Sequence, residues 1–120
     1  NVLSRARASQ PIRAAGDLTG SPPCARDVAR VLGELAAQRA HGLFHVVNEG
    51  SCTRYALACE VLELAGMDPA LATRVKASDL GLIAPRPANS ALTSIALSRW
   101  GIDPLPRYGQ RLAEHVGEAG

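Results

Sequence analysis

Leu43-Phe44-His45-Val46-Val47-Asn48-Glu49-Gly50-Ser51-Cys52-Thr53-Arg54 changes character twice. The run from Leu43 to Val47 is continuously apolar apart from His45 and rich in β-branched and aromatic residues. That pattern predicts a strand of the kind buried in a parallel sheet. Asn48 to Ser51 is a polar turn with one glycine. Thr53 is suited to cap a helix over about Arg54 to Ala65, with Leu57, Ala58, Val61, Leu62 and Ala65 facing inward. Gly66 is a natural residue to end it. Strand, glycine-containing turn and helix make half of a β-α-β unit, so the fold class is α/β. Ligands in such sheets bind beyond the carboxyl ends of the strands. Asn48, Glu49 and Ser51 are therefore candidates for a site. The alternative for Asn48 is a backbone bond within its own turn.

Upstream, Val2 to Ser9 reads as a short helix, Ile12 to Ala15 as a short strand and Asp17 to Pro23 as a polar loop. Ala25 to Gln38 is the clearest helix. Val28, Val31, Leu32, Leu35 and Ala36 form one apolar stripe. Asp27 near its start and Arg39 near its end suit the helix dipole. Downstream, Arg74 to Ala77 is a second short strand, and Ser78 caps a single turn at Asp79 to Gly81. Thr93 caps a short helix through Ile95, Leu97 and Trp100. Tyr108, Leu112 and Val116 line a last helix. Trp100 and Tyr108 read as packing residues.

Composition excludes several classes. Hydrophobic residues make up 47% and charged residues 20%, which is globular rather than disordered. A net charge of +2 with scattered arginines argues against nucleic acid. No apolar run approaches the ~20 residues of a membrane span. Cys24, Cys52 and Cys59 show no CxxC spacing and fit a reducing, cytoplasmic compartment. His41, His45 and His115 do not cluster with them, so no zinc site is expected. The chain opens on Asn1 and its only methionine is Met67, which predicts a piece of a longer protein.

Catalytic chemistry is scarce. GxGxxG, GxxxxGK[ST], GxSxG and HExxH are all missing from the sequence. Tyr55 and Tyr108 have no lysine four residues on. His45 reads as a buried, satisfied histidine, and Glu60 and Glu63 as a solvated helix face. Cys52, before a helix N-terminus, is placed for a lowered thiol pKa. One element stands out: Ala84-Pro85-Arg86-Pro87-Ala88-Asn89-Ser90. The prolines fix the backbone on either side of Arg86. A guanidinium held this way suits bidentate capture of a phosphate or carboxylate. The alternative is a polar connector with Arg86 in a surface ion pair.

Four segments carry a resemblance. Asp17-Leu18-Thr19-Gly20-Ser21-Pro22 with Arg26-Asp27-Val28-Ala29 resembles the D-Q-x-G-S-P-T…D-L-A stretch of the dTDP-4-dehydrorhamnose reductase family. Gly42 to Gly50 resembles its G-I-Y-H-V-x-N-x-G strand and turn. Arg86 to Leu92 resembles its R-P-x-N-S-x-L element, and Tyr108 with its helix the terminal W-x-x-x-L helix. Together they cover nearly the whole chain. Leu18 stands where the family has Gln, Pro23-Cys24 replaces Thr-Tyr, Arg54 replaces an aromatic and Tyr108 replaces Trp.

The resemblance implies the C-terminal part of an extended short-chain dehydrogenase/reductase. A few short parallel strands pack with about five helices, and the NADPH-binding Rossmann half, with its Tyr-x-x-x-Lys pair, lies upstream of this chain. The intact enzyme reduces dTDP-4-dehydro-L-rhamnose to dTDP-L-rhamnose. Carried onto this sequence, Arg86, Asn89, Ser90 and Asn48 are the substrate-binding candidates. Asp17, Gly20, Ser21 and Asp27 form the loop near the domain junction. The expected partners are a nucleotide-sugar, the Rossmann domain and a second copy of the chain. No cofactor, metal or turnover is expected of the chain alone. The competing reading is a non-catalytic regulatory or interaction module, or a remnant, of the same fold.

Overall fold

The computed structural model describes residues 1–119. Its elements are mixed α/β. In chain order they are α1 (Val2–Arg7), β1 (Ile12–Ala15), β2 (Thr19–Gly20), α2 (Ala25–Ala37), β3 (Cys52–Thr53), α3 (Arg54–Leu64), β4 (Ala72–Val75), β5 (Asn89–Ser90) and α4 (Tyr108–Ala119). Single 3₁₀ turns lie at Pro69–Leu71, Ala77–Leu80 and Leu97–Trp100. The expected short helix after Thr93 is thus only a turn, and it begins at Leu97.

Local chemistry explains the long helices. Thr53 Oγ1 accepts the Ala56 N–H at 3.0 Å at the start of α3. Gly66 follows its end with φ +68°, a conformation open to glycine. Helix α2 buries Asp27, Val31 and Leu35, one residue per turn. Leu32, placed on the same stripe by the sequence pattern, is instead 55% exposed.

Two small sheets organise the rest. β1 and β4 pair in parallel, Ile12 opposite Ala72 and Ala15 opposite Val75. β4 lies two residues earlier than the sequence pattern places it, because its bounds are set by pairing with β1. The second sheet has the order β3-β2-β5, with β2 antiparallel to β3 and parallel to β5. Two hydrophobic clusters result. In the first, Ala6, Ile12, Ala14, Ala58, Leu62 and Ala72 pack α1 and α3 onto the β1–β4 sheet. In the second, Val31, Leu35, Leu97, Ile102 and Leu105 pack α2 against the C-terminal connections, with Phe44, Val46 and Trp100 at its edge. The molecule measures 47 × 34 × 19 Å with a radius of gyration of 16.2 Å. A compact domain of this length has about 14 Å. The fold is a plate that holds two separate hydrophobic clusters.

The expected strand at Leu43–Val47 is not paired in this structure. The segment runs without assigned secondary structure, and its burial alternates rather than being continuous. Phe44 and Val46 turn toward the second cluster, while Leu43 is 82% exposed. His45 is exposed, not buried as the pattern implied. The physical reason is the lack of a neighbouring strand. The Val47 N–H finds the Ser94 hydroxyl at 3.1 Å instead of a sheet partner.

Leu62 is fully buried at the centre of the first cluster. Leu62→Ala should lower the unfolding free energy by about 2–5 kcal/mol, read as an earlier urea midpoint with an unchanged slope.

Candidate functional site

Sheet β3-β2-β5 brings together three segments that are far apart in sequence. Thr19 N–H donates to the Ala88 carbonyl at 2.8 Å, and the Ser90 hydroxyl donates to the Thr19 carbonyl at 3.2 Å. The Ser21 hydroxyl donates to Leu92 O at 3.3 Å and accepts the Leu92 N–H at 3.1 Å. Asn89 Oδ1 accepts the Ala91 N–H, which tightens the turn after β5. Arg54 N–H donates to Leu18 O at the start of α3. The loop around Gly20, the start of α3 and the Pro-Arg-Pro segment are thereby zipped side by side. Ser21, Asn89 and Ser90 spend their side chains on this zipper, and Asp17 caps the backbone at Ala77.

Beside the zipper opens a cleft of about 970 Å³, framed by α1, β1, the start of α3 and the segment 80–90. Its apolar wall includes Val2, Ile12, Leu57 and Leu82. Four guanidinium side chains line it: Arg5, Arg13, Arg54 and Arg86. No carboxylate lines it. Among the described residues, none of the four takes part in an ion pair, since every such pair belongs to Arg26, Arg30 or Arg111. Arg5 donates to the Pro11 carbonyl and Arg13 to the Asp79 carbonyl. Such bonds orient a guanidinium without neutralising it.

Of the residues singled out in the sequence, Arg86 and Ser90 reach this cleft. Asn48 and Asp27 do not. Asn48 is fully buried. Its Oδ1 accepts the Cys24 N–H at 2.7 Å, and its Nδ2 donates to Asp27 Oδ2 at 2.7 Å and to Pro106 O at 3.0 Å. Arg111 Nε completes the network with a 2.9 Å bond to the same Asp27 oxygen. Both polar atoms of the Asn48 side chain are thus bound to protein, across chain connections rather than within its own turn. A direct contact between Asn48 and a ligand has no place in this geometry. Burial pushes the Asp27 carboxyl upward, but the bonds from Asn48 and Arg111 outweigh it and hold the group below the ordinary carboxylate range.

The remaining candidate chemistry is also structural. The Cys52 thiol is raised rather than lowered, chiefly by burial. Tyr108 donates to Glu60 at 2.7 Å, so Glu60 is not simply a solvated face, and burial with this bond pushes the phenol well above its ordinary value. The Tyr108 ring lies 3.1 Å from where a side chain at Gly50 would begin, and Gly50 has φ +94°. Glycine is required there on both counts. A second groove of about 530 Å³ lies between α2 and α4, but its Arg26 is paired with Glu118 and its Arg111 with Glu114. Among the described residues no group of three or more His, Cys, Asp or Glu is placed to hold a metal ion.

Arg5 and Arg13 were missed by the sequence reading, and Arg54 was noted only as a departure from the family pattern. Strand alternation carries one usable signal. β1 buries Ile12, Ala14 and Ala15 and exposes Arg13.

The RmlD substrate binding domain matches residues 1–119. The chain belongs to that family. A spore coat polysaccharide biosynthesis protein, SpsK of Bacillus subtilis, is 32% identical over 117 residues, covering 98% of this chain and 40% of its own length. A dTDP-4-dehydrorhamnose reductase of Mycobacterium tuberculosis is 36% identical over 98 residues, 81% of this chain and 32% of its own length. A crystal structure of the Bacillus anthracis dTDP-4-dehydrorhamnose reductase in complex with NADP superposes with a TM-score of 0.88 at 23% identity, over 99% of this chain and 42% of that one. The chain therefore spans about 40% or less of the length of these curated relatives. No helix of the described residues is long and apolar enough to cross a membrane.

Two outcomes test the buried network. Asn48→Ala removes three bonds and strands their partners, so it should cost on the order of 3 kcal/mol in denaturant unfolding. Asp27 has a lowered folded pKa, so its stabilisation is present above the unfolded value and lost as pH falls through the folded one. Stability should thus hold from neutral pH to about pH 4 and then drop on acidification. Asp27→Asn should be less stable at pH 7 and lose that part of the acid dependence.

Proposed function

We propose that this chain is the nucleotide-sugar-binding part of a dTDP-4-dehydrorhamnose reductase-like protein. The observation that carries the reading is the cleft lined by four guanidiniums with no carboxylate among them. A nucleoside diphosphate sugar matches it in kind. Its diphosphate suits the forked donors of Arg86 and Arg54, whose guanidiniums make no ion pair among the described residues. Its base and sugar suit an apolar wall that includes Val2, Ile12 and Leu57.

The role of these residues in the intact protein is positional. Binding energy from a diphosphate that does not react holds the keto carbon where it can be reduced. The reaction proposed for the whole protein is the NADPH-dependent reduction of dTDP-4-dehydro-L-rhamnose to dTDP-L-rhamnose. We assign the dinucleotide to the remainder of the intact protein. In this chain β3 passes into α3 directly at Thr53–Arg54, with no glycine between them. No step through that cofactor is therefore assigned to this chain. Three free thiols and this chemistry suit a cytoplasmic setting.

A second reading, a non-catalytic interaction module of the same fold, draws on the exposed apolar residues Leu43, Ile83 (104% exposed) and Ile95 (78%).

Titration of the protein with dTDP separates the two. Binding should weaken by about 10- to 100-fold in Arg86→Ala, the loss of one charge-assisted contact. It should also weaken steadily with added salt. Unchanged affinity in Arg86→Ala removes that residue from the site, and no binding of dTDP by the wild-type protein leaves the interaction module.

A further inference from the structure

We propose that Arg13, Asp17 and Ser21 are positioning residues that act on the ligand through Arg86. The inference rests on the diphosphate reading above and deepens it. Arg86 lies in a stretch, residues 81–93, that is exposed without a break. Ile83 within it is 104% exposed, and no residue of the stretch belongs to either hydrophobic cluster. The two clusters therefore do not fix where Arg86 stands. Pro85 and Pro87 stiffen the backbone on either side of it, but stiffness alone gives no location.

Polar contacts supply the location, and they come from one short stretch, residues 13–21. Upstream of Arg86, the Arg13 guanidinium donates to the Asp79 carbonyl at 2.9 Å, and Asp17 Oδ1 accepts the Ala77 N–H at 2.9 Å. Downstream, the Thr19 N–H donates to the Ala88 carbonyl at 2.8 Å. The Ser21 hydroxyl holds both backbone groups of Leu92, accepting its N–H at 3.1 Å and donating to its carbonyl at 3.3 Å. The segment that carries Arg86 is thus slung between two clamps built on the same stretch of chain. That stretch is itself anchored, because β1 pairs with β4 and buries Ile12, Ala14 and Ala15. A forked donor meets a phosphate only over a narrow range of positions, so loosening either clamp spreads the guanidinium over orientations that miss it. Asp17 and Ser21 do not line the cleft, so their effect on a ligand runs through the segment they hold. Arg13 does line it, and its role is separated from direct contact by experiment.

The experiment is a double-mutant cycle read by calorimetric titration of the purified protein with dTDP. Arg13→Ala, Asp17→Ala and Ser21→Ala should each weaken binding about three- to tenfold. In the Arg86→Ala protein the same substitutions should cause no further loss. Asp17→Ala removes a negative charge and should still weaken binding of an anion. Ser21→Ala removes no charge and should still flatten the salt dependence, as Arg86→Ala does. Ser21→Thr, which keeps the hydroxyl, should restore the wild-type affinity. Losses that add to that of Arg86→Ala overturn the inference and leave the diphosphate reading standing. Wild-type affinity in a single variant overturns the assignment of that residue. Failure of the wild-type protein to bind dTDP, or unchanged binding in Arg86→Ala, overturns the reading on which the inference rests and the inference with it. Arg13 is an exposed side chain on a paired strand, so its cycle decides alone if Ser21→Ala or Asp17→Ala does not fold.

Discussion

The fold turns on the side chain of Asn48. One buried amide ties the N-terminus of α2 at Cys24, the carboxylate of Asp27 and the carbonyl of Pro106, and Asp27 passes the link to Arg111 on α4. The two hydrophobic clusters share no buried residue. Polar groups, not a common apolar layer, fix how the α2 side meets the C-terminal helix. Buried polar groups are costly unless fully bonded, and no buried side-chain nitrogen or oxygen among the described residues lacks a partner. Full satisfaction makes the network specific. A slipped register at any one of its four elements would strand the others.

The same economy shapes the cleft by contrast. Asp27, Glu114 and Glu118 neutralise Arg111 and Arg26 on the face of α2 and α4. The zipper uses hydroxyls and amides, which hold backbone without adding charge. The arginines of the cleft are left with carbonyls or with water. A surface of this kind costs repulsion in the empty state, and that repulsion is relieved when an anion enters. The fold thus separates cations paired with carboxylates from cations that line the cleft without one.

What the sequence made legible was local. The caps of α3, the span of α2 and the bounds of β1 follow from neighbours a few residues away, and each is found close to where the pattern puts it, although Leu32 and Ala36 of the α2 stripe are exposed. What it concealed was tertiary. A run such as Leu43–Val47 has strand composition, but a strand exists only when another lies beside it. β4 was displaced by two residues because β1, sixty residues upstream, sets its register. Arg86 announced itself through its flanking prolines. Arg5 and Arg13 stand far along the chain from Arg54 and Arg86 and join them in one cleft only when the β1–β4 sheet and the β3-β2-β5 zipper close. Asn48 was visible as a polar residue after a strand-like run, but its partners lie 24, 21 and 58 residues away.

Those separations carry a kinetic consequence. Asp27 waits for Arg111 across 84 residues, Ser21 for Leu92 across 71 and Thr19 for Ala88. Contact order is therefore high for a chain with this much helix, and loop-closure entropy must be overcome before the joint can form. On the ribosome, α2 and the Leu43–Val47 segment emerge well before the residues that lock them. During that interval an extended apolar stretch is open to wrong pairing. The exposed His45 interrupts that stretch and the charged Glu49 follows two residues after its end, where an unbroken run of valine and leucine would invite association between nascent chains.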